Sequence, residues 1–125
     1  SLKFGIKYLE KKYPNRFQII LKDSIKALKN FETISQGIIF DFIYIDGNHS
    51  YEYAYNDILN CKKFANDSTI VVVDDVVEDD NFRTNSNSGP TQAWKSLVSN
   101  GKLIELDCAH FEEINRGVAV GKFVF

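Results

Sequence analysis

Methionine is absent from all 125 positions, and Ser1 leads directly into a helical pattern. We read residue 1 as a cut point and expect the chain to be a piece of something longer. Cysteine is scarce: Cys61 and Cys108 lie in unlike contexts, with no CxxC spacing and no Cys/His partner pattern. That argues against a disulfide or zinc framework and predicts two buried thiols in a reducing compartment. No apolar run approaches the ~20 residues needed to span a bilayer, and no signal peptide opens the chain, so a soluble, cytoplasmic protein is expected. Charge of one sign is lacking as well. The net charge is -2 and the basic residues are scattered, which removes the electrostatic case for nucleic acid as a partner. Internal repeats, low-complexity tracts and domain linkers are absent.

What remains builds a core. Hydrophobic residues make up 44% of the chain, with ten Phe, six Tyr and Trp94 as the one indole. A single domain with an aromatic core follows from those amounts.

Strand and helix patterns alternate along the chain. Residues 3–13 place Phe4, Tyr8 and Leu9 on one helical stripe that Pro14-Asn15 ends. RFQIILK (16–22) reads as a strand, and Asp23-Ser24 as the cap of a short helix carrying Ile25, Leu28 and Phe31. FDFIYID (40–46) is apolar on both faces apart from Asp41, the pattern of a central strand covered on each side by helices. Ser50 caps a helix over 51–65 whose buried face is Ala54, Ile58, Cys61 and Ala65. STIVVVDD follows as a second doubly buried strand, then a polar stretch from Val76 to Gly89, expected as a mobile surface loop. Pro90 opens a helix with Ala93, Trp94, Leu97 and Val98 inward, closed by Gly101. KLIELD and GVAVGKFVF then leave no room for a helix between them and predict an antiparallel hairpin. The expected fold is α/β: a Rossmann-like, mostly parallel sheet with helices on both faces and a C-terminal β-hairpin, truncated at its N-terminus.

In an open parallel sheet, ligands bind beyond the carboxyl ends of the strands. Asp23, Asp46 and the pair Asp74-Asp75 each follow a predicted strand and therefore share one edge of the sheet. Asp41 lies at the opposite edge and is read as structural. Any one such Asp suits a helix cap, but three convergent junctions concentrate charge that a cation would relieve. Oxygen ligands favour a hard ion, Mg²⁺ first. Asp74 and Asp75 point to opposite faces of a strand, so both serve one ion only if the chain leaves the strand there. His49, three residues past Asp46, suits general-base work near neutrality, or else caps the next helix or bonds within its turn. His110 is expected at the surface, and Glu78, Asp79 and Asp80 in a solvated lid.

The segments FDFIYIDGNHSYEYAYNDI, IVVVDDV and GPTQAWKSL resemble the second half of class I S-adenosylmethionine-dependent methyltransferases. The nearest flavour is the group called methyltransferase domain 24, related to small-molecule O-methyltransferases. The resemblance runs over residues 1–125, one partial methyltransferase domain holding strands three to seven of a sheet ordered 3-2-1-4-5-7-6. It implies that Asp23 and Ser24 touch the cofactor's adenine and that Asp46 is both a cofactor-side acid and a first Mg²⁺ ligand. Asp74 and Asp75 would be the other ligands, His49 would stand where related enzymes keep a catalytic base, and Tyr51 would line the cofactor or acceptor pocket. The implied activity is methyl transfer to a small-molecule oxygen.

The glycine-rich loop and the ribose-binding acid of that family are missing, and no G-x-G occurs in the chain. The isolated chain is therefore expected to bind S-adenosylmethionine weakly or not at all. Strand three, without its usual neighbours, leaves an open edge through which a homodimer is expected. Two rivals stand beside this reading. One is a methyltransferase-like interaction module without activity. The other, a metal-dependent hydrolase or sugar-nucleotide enzyme, is weakened by the lack of a nucleophile or second His near the acids.

Overall fold

The computed structural model describes residues 1–125, the side chains of 32–35 excepted. Its framework is a four-stranded sheet packed against helices, a mixed α/β fold. Strand β1 (Phe42–Ile45) pairs parallel with β2 (Ile70–Asp74), Ile45 opposite Val73. The register is set at the strand entries. Ile70 donates its amide to the Asp41 carbonyl, and the Thr69 hydroxyl donates to the Phe40 carbonyl at 2.7 Å. Strands β3 (Leu103–Phe111) and β4 (Arg116–Phe123) form the expected hairpin, with a bulge at Glu105/Asp107. β4 inserts antiparallel between β2 and β3, giving the order β1-β2-β4-β3.

Two features of the expected sheet are corrected. It is not mostly parallel among the described residues: β1 with β2 is its one parallel pair, because the hairpin returns β4 against both neighbours. Nor, among the described residues, do helices cover both faces. Helix α1 (Leu2–Lys12) buries none of its residues, so the Phe4 and Tyr8 stripe stays exposed. Helices α2 (Ser24–Ser35), α3 (Tyr51–Cys61) and α4 (Ser88–Ser99) pack in sequence, α2 on α3 and α3 on α4. They cover the face carrying Ile45, Val71, Val73, Ala119 and Phe123. On the other face Phe42 and Tyr44 remain 59% and 53% exposed. β1 is thus an edge strand, and its two-sided apolar pattern reflects one buried face and one open one.

The core helices follow their sequence patterns. Ser50 caps α3, its hydroxyl accepting from the Tyr53 amide, and Ala54, Ile58, Cys61 and Ala65 are all buried. Ala93, Trp94 and Leu97 of α4 are fully buried, with Val98 packed at their margin. Full burial of large apolar side chains such as these contributes ~1.5–3 kcal/mol each. Leu28 of α2 joins the same cluster, and the Phe31 ring meets Phe64 edge-on at 5.0 Å. Burial pushes the free Cys61 thiol up to about 12 and that of half-buried Cys108 to about 11, so both behave as apolar fillers.

Three local expectations change. Residues 16–22 form no strand: among the described residues, none of their amides or carbonyls bonds to β1, and a strand exists only as part of a ladder. The stretch from Val76 to Gly89 is exposed at residues 78–81 and 84–86, as a surface loop should be, but it is anchored at both ends. Val76 and Val77 are buried, the Val77 amide donates to Thr91, and α4 has already begun at Ser88. His110 lies half-buried on β3 with its ring 4.3 Å from that of Phe82, because β3 runs longer than KLIELD alone suggests. Among the described residues, no helix is long and apolar enough to cross a membrane.

Candidate functional site

Parallel pairing of β1 and β2 delivers two acidic ends to one edge. Asp46 leaves β1 where Asp74 closes β2. Asp75 takes a left-handed backbone conformation, φ 57°, so the chain leaves the strand there and neighbouring carboxylates can turn to one side. Gly89, in the first turn of α4, holds the other wall. A Cβ there would come within 2.0 Å of the His49 carbonyl oxygen, so α4 begins in direct contact with the 49–51 backbone.

His49 Nε2 stands 3.1 Å from Asp75 Oδ2. On the opposite side of Asp75, Arg116 Nε lies 3.4 Å from Oδ1, while Arg116 Nη2 donates to Asp74 Oδ2 at 3.2 Å. Burial and the adjacent Asp74 charge raise the Asp75 carboxyl above its ordinary range, with Arg116 and His49 opposing the shift. The Tyr44 phenol is raised by burial first and by the nearby Asp74 charge second. Potential ligand atoms of Asp46, His49 and Asp75 all lie within 4.8 Å of one another. The triplet that converges therefore contains His49 where Asp74 was expected, since Asp74 faces Arg116 and Tyr44.

Beside Asp46 lies an open cleft of about 330 Å³. Ser24, Asp46 and Gly47 border it, with Leu28 and Phe31 supplying an apolar wall. Asp23 is committed elsewhere. It caps α2 through the Lys26 amide at 3.2 Å and accepts from the Tyr53 hydroxyl at 2.9 Å. The Tyr53 bond is the main reason its carboxyl is lowered. Tyr51, the first residue of α3, sets its ring 5.5 Å from that of Tyr55, tilted by 36°, and does not border the cleft. Both Asp23 and Tyr51 thus make contacts within the protein.

Two participants escaped the sequence reading. Arg116 stands at the hairpin junction, and its partners Asp75 and Asp74 lie 41 and 42 residues earlier, beyond any local pattern. Asp57 is an acid inside the α3 sequence, outside the apolar set Ala54, Ile58 and Cys61. It is buried, borders the cleft, and its Oδ1 has no hydrogen-bond partner. Its spacing was a usable signal, because residue 57 falls three after Ala54 on the buried face.

Comparison with known proteins gives one family. The family model described as a methyltransferase domain matches residues 4–76, more than half of the chain, from α1 through both acidic strand ends. The search of curated proteins finds no match to the chain.

Proposed function

The chain belongs to this methyltransferase-domain family, and from that premise we propose that it serves S-adenosylmethionine-dependent methyl transfer to a small-molecule oxygen. The observation that carries the proposal is the meeting of Asp46, His49 and Asp75 at the carboxyl edge, next to the 330 Å³ cleft. The order β1-β2-β4-β3 supports the finer reading of a Rossmann-like class I sheet, as it corresponds to strands 4-5-7-6 of that arrangement.

In this reading Ser24, Asp46, Gly47 and Asp57 border the cofactor, whose sulfonium supplies an electrophilic methyl group. Asp23 acts by fixing the start of α2, and Tyr51 by shaping the start of α3. Asp75 orients the His49 imidazole by accepting from Nε2–H, which leaves Nδ1 to take the acceptor's proton. Alignment of the acceptor oxygen with the methyl supplies much of the acceleration. The donor set also suits a divalent cation, Mg²⁺ among them, held by Asp46, His49 and Asp75 and favouring the deprotonated acceptor. In that state His49 would be a ligand and not a base. Free thiols fit cytoplasmic residence. The open outer edge of β1 fits a homodimer.

With no G-x-G in the chain, cofactor affinity should be weak, which makes nuclear magnetic resonance the suitable test. Titrating S-adenosylhomocysteine into the full chain should move the amides of Ser24, Asp46, Gly47 and Asp57, with little heat in calorimetry. Micromolar calorimetric affinity would overturn the weak-binding claim. Amide shifts confined to other surfaces, or none, would sink the cofactor site and favour an interaction module that has lost catalysis.

A further inference from the structure

Asp74 and Asp75 pose a charge problem that the proposed chemistry leaves open. They are consecutive and only 8% and 5% exposed, so two like charges are set side by side away from water. Nearly buried carboxylates in contact persist as anions only when a positive group compensates them. Arg116 supplies it, using two different nitrogens: Nη2 on Asp74 Oδ2 at 3.2 Å and Nε toward Asp75 Oδ1 at 3.4 Å. His49 takes the remaining oxygen of Asp75, so both oxygens of that carboxylate are engaged.

The placement of Arg116 is built into the hairpin. Asn115 before it is left-handed, φ 49°, and turns the chain into β4. Gly117 after it is clamped to the segment that follows Asp75. The Val76 amide donates to the Gly117 carbonyl at 3.2 Å, and a Cβ on residue 117 would lie 2.0 Å from the Val76 oxygen. The backbone on either side of Arg116 is thus fixed beside the two acids. Its side chain is 54% exposed, with solvent on the side away from the two acids.

We propose that Arg116 is a resident counter-ion for the β2-end carboxylates and competes with divalent cations for them. The groups it faces are Asp74, Asp75, His49 across the Asp75 carboxyl, and Tyr44 beyond Asp74. A cation drawing on Asp75 must displace the guanidinium or share the carboxylate with it, so Arg116 holds cation affinity down. It is a positioning residue: it acts through Asp74 and Asp75 and touches neither cofactor nor acceptor. The inference rests on the acceptor-side reading of Asp75 given above.

The test is Mn²⁺ binding to the full chain, by calorimetry and by electron paramagnetic resonance of free Mn²⁺. Arg116→Gln should bind Mn²⁺ tighter than wild type by on the order of tenfold, the effect of removing one neighbouring positive charge. Arg116→Lys, which keeps the charge, should stay near wild type, a split that a purely structural role would not produce. Adding Asp75→Asn to Arg116→Gln should abolish the gain. Arg116→Leu replaces the Gln variant should that one melt early by circular dichroism. Unchanged Mn²⁺ affinity in the neutral variants, or equal gains in the Lys and Gln variants, would overturn the inference. If it falls while S-adenosylhomocysteine still moves Ser24, Asp46, Gly47 and Asp57, the methyltransferase reading survives. If those shifts are absent while Arg116→Gln gains affinity, the cofactor reading fails and the counter-ion role stands.

Discussion

At the scale of single residues, Asp57 is the one whose chemistry departs furthest from its surroundings. It projects from α3 into the core side of the site, close enough that a Cβ on Gly47 would sit 3.0 Å from its Oδ2. Burial raises its carboxyl above the ordinary range, with the Ser24 hydroxyl pulling the other way. The raised value means the folded state keeps a proton that the unfolded chain releases. The stability this group contributes is therefore fully present below the ordinary Asp pKa of about 3.9 and is lost as pH rises through the raised folded value. Asp57→Asn removes the titration at nearly constant shape. Its melting temperature relative to wild type should climb between acid and neutral pH, read from thermal melts across that range. A difference that stays flat with pH would show that Asp57 does not titrate in this way. The same orphaned oxygen makes Asp57 a natural hydrogen-bond acceptor for a ligand in the cleft.

Between elements, the site depends on how α3 and α4 begin. Gly89→Ala would drive a methyl group into the His49 carbonyl at 2.0 Å and the Tyr51 amide at 2.7 Å. Neither is a flexible side chain, so backbone must move, at a cost of ~1–3 kcal/mol for overpacking of this kind. Because the displaced segment carries His49, the 3.1 Å contact with Asp75 should loosen as well. Denaturant unfolding should register the loss of stability, and the His49 ring resonances the loosening. Wild-type values in both would mean that the two helix starts are not coupled. This level also marks what sequence could tell. The period of Ala54, Ile58, Cys61 and Ala65 is local, and burial followed it. The hairpin was legible because a short polar turn admits no crossover helix. RFQIILK carried as good a strand composition as IVVVD, but composition cannot supply a ladder partner, and it found none. The acidic strand ends were legible through the parallel-sheet rule, whereas Arg116 reaches Asp74 through the order of strands in space, which no local window encodes.

For the whole molecule, the consequence of gathering α2, α3 and α4 on one face is an unbalanced sheet. Phe42 and Tyr44 project from β1 into solvent, Ile104 from β3 is also exposed, and β1 offers its outer backbone edge unpaired among the described residues. A soluble monomer seldom leaves a wide apolar patch bare beside an open strand edge, because both features favour association. Pairing of β1 with β1 of a second copy would satisfy the edge and cover Phe42 together. The expected outcome in sedimentation velocity is a sedimentation coefficient that rises with protein concentration toward that of a dimer. Phe42→Lys places a charge on the proposed contact without touching the acidic site at the other end of the strand. It should shift the protein toward monomer and leave the Ser24, Asp46, Gly47 and Asp57 cofactor shifts unchanged. A wild-type chain that sediments as a monomer at every concentration removes the dimer. A dimer indifferent to Phe42→Lys places its contact on a surface other than β1. Loss of the cofactor shifts in Phe42→Lys would mean that association and the site are coupled, because the carboxyl end of β1 carries Asp46 and any movement of the strand reaches it directly.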